Sequence, residues 1–155
     1  DNTTDTPSFT PTYVGRYGFT LVVNDGQKNS APDSVVVTVV YDFTGFFQPT
    51  ENPPKWNILK AGRAIPIKFS LDGNHGTEIF TANSPVSKQV DCINSTYLNE
   101  IEETVTAGSS SLNYDPDTDI YNYVWKTDRA WSGTCRELSV RLIDGTEHVT
   151  YFMLE

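Results

Sequence analysis

The fold of this chain is decided by two short segments: residues 15–23, Gly-Arg-Tyr-Gly-Phe-Thr-Leu-Val-Val, and residues 33–40, Asp-Ser-Val-Val-Val-Thr-Val-Val. An apolar side chain recurs at every second position in both segments, which predicts two β-strands with one apolar face each. We expect these strands at about Arg16 to Asn24 and Ser34 to Val40. Their shared apolar face is formed by Tyr17, Phe19, Leu21 and Val23 together with Val35, Val37 and Val39.

Two strands are too few to bury an apolar face in water. We therefore read residues 1–40 as the end of a larger module that begins outside this sequence. The apolar face is expected to be covered by residues 1–12 folding back, by the rest of the chain, or by a second copy. Because open strand edges recruit other strands, the face carrying Tyr17, Phe19, Leu21 and Val23 is also a candidate assembly surface.

The composition restricts the classes of partner. The chain has 155 residues, of which 11 are basic and 20 acidic, so its formal net charge is −9. Such a surface repels phosphate backbones and anionic lipids, which disfavours nucleic-acid binding. No apolar run approaches the ~20 residues that span a bilayer, so membrane insertion is not expected. The expected partners are neighbouring domains of the same polypeptide or other copies of this chain.

Residues 41–155 also favour an all-β fold. Between Ala64 and Leu71 the apolar residues alternate, and a second alternating segment from Leu112 to Trp125 surrounds an aspartate-rich turn. The last hairpin is predicted to turn through a two-residue type I′ loop at Asp144-Gly145. That register places Val140 opposite Val149 and predicts one apolar face on Leu138, Val140, Leu142, Val149, Tyr151 and Met153.

Two cysteines, Cys92 and Cys135, are present, and neither has a nearby cysteine or histidine that would suggest a zinc site. An even cysteine count in a β-rich, acidic sequence favours one disulfide, although two free buried thiols are the alternative. A disulfide indicates an oxidising compartment, so we expect an extracellular or cell-surface location.

The N-terminal segment resembles the C-terminal strands of PKD-like and cadherin-like modules of bacterial surface proteins. Gly15-x-Tyr17 at the strand entrance is similar to the tyrosine corner of immunoglobulin-type sandwiches. The resemblance implies a partial immunoglobulin-like module of two or three strands. It is carried by Phe9, Pro11, Gly15, Tyr17, Val23, Asp25, Gly26, Asp33, Ser34, Val35 and Val37.

Residues 41–155 resemble the PxKF domain, a module found near the C-terminal end of secreted or surface-exposed bacterial proteins. The resemblance implies an immunoglobulin-like β-sandwich, an extracellular location and no catalytic activity. The motifs that carry it are Tyr41-Asp42-Phe43-x-Gly45-Phe46, Asn52-Pro53-Pro54, Lys60-Ala61-Gly62-Arg63, Pro66-x-Lys68-Phe69, Glu103-Thr104-Val105-Thr106-Ala107-Gly108, Tyr123-x-Trp125-Lys126-Thr127-Asp128, Trp131-x-Gly133-Thr134-Cys135-Arg136 and Asp144-Gly145-Thr146.

The residues do not suggest an enzyme. His148 is expected on the polar face of the last hairpin opposite Arg141, and His75 in a solvated loop. Neither a Gly-x-Ser-x-Gly elbow nor a His-Glu-x-x-His motif is present in the sequence. No cofactor is therefore expected, with Ca²⁺ as the alternative. The oxygen ligands for Ca²⁺ would be Asp115, Asp117 and Asp119, or Asp25 with Asp33, although aspartates are also ordinary turn residues.

Aromatic residues suggest one further kind of site. Trp56 follows Pro53-Pro54-Lys55 and is expected to present its ring from a loop, where it could stack on a sugar, with Trp131 as a second ring. The alternative for Trp131 is packing with Trp125 near the cysteines. Asn2 and Asn94 begin glycosylation sequons, which are expected to be unmodified in a bacterial protein.

These observations favour a non-catalytic structural or spacer module of a multidomain extracellular protein. One alternative is a filament or surface-array subunit whose open N-terminal strands are completed by a neighbouring chain. The other is a carbohydrate-binding or adhesive module.

Overall fold

The computed structural model of the chain describes residues 6–98, 103–104 and 112–155. It divides into two compact units, Asp1–Tyr41 and Asp42–Glu155. The strands in chain order are β1 (Gly15–Leu21), β2 (Asp33–Val39), β3 (Phe46–Phe47), β4 (Trp56–Leu59), β5 (Ala64–Phe69), β6 (Val86–Val90), β7 (Glu103–Thr104), β8 (Asn113–Asp115), β9 (Ile120–Lys126), β10 (Thr134–Arg141) and β11 (Glu147–Leu154).

The first unit is an antiparallel pair formed by β1 and β2. Phe19 lies opposite Val35, and Tyr17 lies opposite Val37, so the predicted apolar side chains share one face. The Tyr17 hydroxyl donates a 2.6 Å hydrogen bond to the carbonyl oxygen of Tyr13, four residues upstream. This bond to the upstream backbone is the one that a tyrosine corner makes, and it ties the strand entrance to the preceding segment.

The second unit is a β-sandwich of two sheets. One sheet has the strand order β3-β5-β9-β8, and the other has the order β4-β11-β10-β6-β7. Neighbouring strands are antiparallel except for β4, which pairs in parallel with β11. Within the described ranges the remaining regular element is a short 3₁₀ turn at Arg129–Trp131. The prediction of an all-β fold is therefore confirmed.

Strand alternation builds the core between the two sheets. β5 and β9 place alternate apolar and aromatic side chains inward, and the Phe69 and Tyr121 rings stack 5.5 Å apart. The Trp125 ring of one sheet meets the Phe152 ring of the other edge-on at 4.8 Å. The buried side chains of these strands are Ile65, Ile67, Phe69, Tyr121, Tyr123, Trp125, Leu138, Val140, Phe152 and Leu154.

The predicted register of the last hairpin is wrong by one residue. Val140 pairs with His148, and Leu138 pairs with Thr150. The connection has three residues instead of two, because the Gly145 amide bonds to the Leu142 carbonyl while Leu142 bonds to Thr146. Only Gly145, at φ 91°, takes the left-handed conformation in this loop, whereas a type I′ turn would also require it at Asp144.

A one-residue slip exchanges the two faces of a strand. Thr150, Phe152 and Leu154 therefore point inward and are fully buried. Tyr151, which the predicted register put in the core, lies with Val149 and Met153 on the opposite, partly accessible face. The register of the last hairpin therefore decides which side chains lie on the outer face of the larger sheet.

The disulfide prediction is confirmed. Cys92, in the loop after β6, is bonded to Cys135 in β10, with the two Cα atoms 5.3 Å apart. The bond ties that loop to the middle of the larger sheet. Across the described residues, the structure contains no helix of the length and hydropathy that crossing a bilayer requires.

Candidate functional site

The candidate assembly surface in the first unit is largely open to solvent. The Phe9 ring folds back against the Tyr17 ring at 4.7 Å and the Phe19 ring at 4.9 Å. Leu21 and Val23, however, remain 62% and 59% exposed. Within this chain, one ring from the preceding segment cannot span a face two strands wide, so these two side chains stay exposed, and their cover by further strands or by a second copy stays a prediction.

The opposite face of the same hairpin has a different character. The hydroxyls of Thr20 and Ser34 form a 3.1 Å hydrogen bond on this face, and the exposed side chains of Val22 and Val36 lie on either side of them. Mixed hydroxyl and valine side chains are common on the solvent face of a sandwich sheet. The face carrying Tyr17, Phe19, Leu21 and Val23, which we call the aromatic face of the hairpin, is covered only in part, by the Phe9 ring.

Of the three aspartates at the turn between β8 and β9, Asp115 acts as a turn residue. Asp115 accepts hydrogen bonds from the Asp117 amide at 3.0 Å and the Thr118 hydroxyl at 2.7 Å. Asp119 instead bonds to neighbouring segments, so the carboxylates do not converge on one point. In the described part of the chain, no group of three histidine, cysteine or acidic side chains has the arrangement of a metal site.

Asp119 connects three segments of the second unit. Its carboxylate accepts from the Ser70 hydroxyl at 2.7 Å, the Gly73 amide at 2.9 Å and the Tyr114 hydroxyl at 2.8 Å. The Ser70 hydrogen bond, followed by that of Tyr114, lowers the pKa of the Asp119 carboxyl. The hydrogen bond between Tyr114 and Asp119 also raises the pKa of Tyr114, to about 12. The Tyr114 hydroxyl therefore stays protonated, and a donor, at neutral pH.

We expect Asp119→Asn to lower the melting temperature at pH 7, because an amide cannot accept from all three donors. Since the pKa is lowered in the folded state, the stabilisation is complete above the ordinary value of 3.8 and is lost as the pH falls below it. Thermal unfolding followed from pH 2 to 7 should therefore show a smaller acid loss for the variant. Asp117→Asn, in the same turn, is the control, and an equal effect of both changes would contradict this role.

Asp25 and Asp33 each accept hydrogen bonds from nearby backbone amides. The Asp25 carboxylate accepts from the amides of Gln27 at 2.9 Å and Lys28 at 2.8 Å. Asp33 accepts from the adjacent Ser34 amide. These local bonds shape the loop between β1 and β2, which is the turn-forming alternative for these residues.

The structure corrects the position of His148. The register shift moves it opposite Val140, and its ring stacks on Phe43 with centroids 3.6 Å apart. Burial lowers the pKa of this imidazole, partly offset by the charge of Asp144. His75 also makes structural contacts, since its amide donates to the Tyr121 hydroxyl and its ring bonds to the Leu71 carbonyl. The His148 ring also lies at hydrogen-bond distance, 3.0 Å, from the Thr146 hydroxyl.

Trp56 is not in a loop, as the sequence suggested, but begins strand β4. It lies opposite Tyr151 in the parallel pair, and the two rings are 5.2 Å apart at 41°. Trp131 makes different contacts. Its ring lies 6.2 Å from the Trp125 ring, and the Arg136 guanidinium lies over it at 3.6 Å. The aromatic partner of Trp56 is therefore Tyr151.

Sequence reasoning missed the polar residues beside this pair. Glu137 follows Tyr151 across the sheet and is only 6% exposed. It accepts a 2.8 Å hydrogen bond from the Tyr97 hydroxyl, which raises the pKa of Tyr97 to about 12. Burial, then the charge of Glu137, raises the pKa of Tyr151. The correct strand register was needed to find this group.

The Asn94 side chain makes hydrogen bonds within its own sequon. Its Oδ1 atom accepts from the backbone amide and the hydroxyl of Thr96. The sequon at Asn2 lies outside the described residues.

No family model matches this chain, and a search of curated proteins returns no match.

Proposed function

We propose that this chain is a non-catalytic structural module of a multidomain extracellular protein, in which residues 41–155 form a sandwich of PxKF type. The observation that carries the proposal is the open aromatic face of the hairpin. An apolar side chain is worth ~1.5–3 kcal/mol when it is buried, so this face favours a place within a larger assembly of β-strands. Further strands of the same polypeptide are the cover that a spacer module implies.

The second unit supports the proposal through its chemistry. The disulfide between Cys92 and Cys135 suits an oxidising compartment. The carboxylate of Asp119 and the rings of His75 and His148 are engaged in contacts that hold the fold together. Such a unit suits mechanical and spacing roles, and the sequence resemblance to the PxKF domain points in the same direction.

The exposed Leu21 and Val23 favour one second candidate function, which is self-assembly. In that case the aromatic face of the hairpin would be completed by strands from a neighbouring copy, as in strand addition between subunits. The two candidates differ in oligomeric state, since a spacer module stays monomeric when isolated and an assembly subunit does not.

Sedimentation of the purified chain over a wide concentration range tests both candidates. For the spacer we expect a single monomeric species. For the assembly subunit we expect larger species that disappear in the double variant Phe19→Ser/Leu21→Ser, because hydroxyls on the aromatic face remove the apolar driving force. The matched control is Val22→Ser/Val36→Ser on the opposite face, which should leave association unchanged.

The outcomes separate the candidates cleanly. A monomer at the highest concentration would exclude self-assembly. Larger species that persist in Phe19→Ser/Leu21→Ser would show that the hairpin is not the contact. Far-ultraviolet circular dichroism of each variant should confirm that the second unit remains folded.

A further inference from the structure

The outer face of the larger sheet carries a row of four side chains that crosses four strands. Trp56 of β4 lies opposite Tyr151 of β11, which lies opposite Glu137 of β10. Glu137 in turn lies opposite Lys88 of β6. Because neighbouring strands are ~4.8 Å apart, the row spans on the order of 15 Å. We call these four residues the cross-strand row.

One end of the row is aromatic and the other is polar. The Trp56 and Tyr151 rings are neighbours at 5.2 Å, and the exposed side chain of Ile58 lies beside them on β4. At the polar end, the Tyr97 hydroxyl donates to Glu137, and the Lys88 ammonium lies 4.8 Å from the centre of the Tyr97 ring. Tyr97 itself is 54% exposed. A hydroxyl, a carboxylate and an ammonium group therefore lie together at the polar end of the row.

We propose that the cross-strand row, with Tyr97, is a binding site for a neutral glycan. A pyranose ring has an apolar face of C–H groups, which packs on the electron-rich face of an aromatic ring, and a rim of hydroxyls that need hydrogen-bond partners. Trp56 and Tyr151 supply the first kind of contact. Tyr97 and Lys88 supply hydrogen-bond partners for the second, and the buried Glu137 holds the Tyr97 hydroxyl in place.

The geometry favours this occupant over a β-strand from another protein. β4 borders the sheet and has four residues. It is preceded by Pro53-Pro54 and flanked by Lys55 and Lys60. A short strand bounded by prolines and lysines is the usual protection of a sheet edge against strand addition. A ligand that lies flat on the outer face of the sheet does not pair with the edge of β4, so this protection does not exclude it.

Charge favours a neutral ligand over a charged one. The chain has a net charge of −9, and Glu137 lies in the row itself, so an acidic glycan would be repelled. A cationic ligand would meet the Lys88 ammonium at the Tyr97 ring. A neutral sugar has neither conflict.

The test is titration of the full chain with neutral hexasaccharides of glucose, mannose, galactose and N-acetylglucosamine, with polygalacturonate as an acidic comparison. Binding is measured by calorimetry and by ¹H–¹⁵N spectra of the tryptophan indoles. The Trp56 signal, assigned by its loss in Trp56→Phe, should shift on addition of at least one neutral oligosaccharide. Trp56→Ala and Tyr151→Ala should each weaken binding about tenfold or more, as removal of a central aromatic contact does.

Tyr13→Ala, which removes an exposed ring of the first unit, is the matched control and should bind as the parent chain does. If Trp56→Ala does not fold, Tyr151→Phe and Glu137→Gln keep the proposal testable, since loss of a hydroxyl or a charge should weaken binding several-fold. The proposal is overturned if the folded chain binds no neutral hexasaccharide, binds only polygalacturonate, or binds equally well without both rings.

Discussion

Replacing Cys92 and Cys135 together by alanine is expected to lower the free energy of unfolding of the second unit by about 4 kcal/mol. The two cysteines are 43 residues apart in the sequence, so the disulfide closes a long loop. In the chain-entropy account, the bond restricts the unfolded chain far more than the folded one, and its loss returns that freedom. Urea unfolding followed by tryptophan fluorescence measures the change.

The parent chain unfolded in the presence of a reductant is the matching measurement, and it should reproduce the loss seen in the double alanine variant. Peptide mapping by mass spectrometry without reductant should recover a peptide pair joined through the two cysteines. Two thiols that react with an alkylating reagent in the native protein would contradict the disulfide.

Replacing Phe69 by alanine is expected to lower the free energy of unfolding by about 3–5 kcal/mol, because it leaves a ring-sized cavity in the core. Phe69 is fully buried, and its ring stacks with Tyr121 at 5.5 Å and lies 5.7 Å from that of Phe43. Removing it therefore takes away contacts that join β5 to β9 and to the segment before β3. Equilibrium unfolding in guanidinium chloride is the measurement.

Phe47→Ala is the control for this prediction. Phe47 belongs to the same sheet, pairing with Lys68 beside Phe69, but its side chain is on the outer face and partly exposed. Its replacement should cost about 1 kcal/mol or less. Equal losses for the two variants would mean that the inner face of this sheet is not the core of the sandwich.

Alternation of apolar residues was a reliable guide to strands and faces. β1 and β2, the inward set on β5, and the hairpin of β8 and β9 all lie where the pattern predicted them. A strand exposes its side chains with a period of two whatever its partner is, so this information is local. The Cys92–Cys135 disulfide could likewise be predicted, because two cysteines allow only one internal bond.

The register of the last hairpin could not be predicted in the same way. Asp144-Gly145 fits both a two-residue and a three-residue loop, and both registers give an apolar face. Burial of Phe152 and Leu154 against the other sheet, together with the hydrogen bonds of Thr146 to Asp144, favours the three-residue loop. The burial of Phe152 and Leu154 contributes only when both sheets are in place.

The sequence by itself therefore determined the all-β class, most strand faces and the disulfide, because these depend on residues close in the chain or on simple pairing. Only the tertiary structure decided that Trp56 meets Tyr151 and that Glu137 and Tyr97 complete the cross-strand row. Trp56 and Tyr151 are far apart in sequence and are joined by the parallel pairing of β4 with β11. Such pairing is set by the packing of the whole sandwich, which no local pattern encodes.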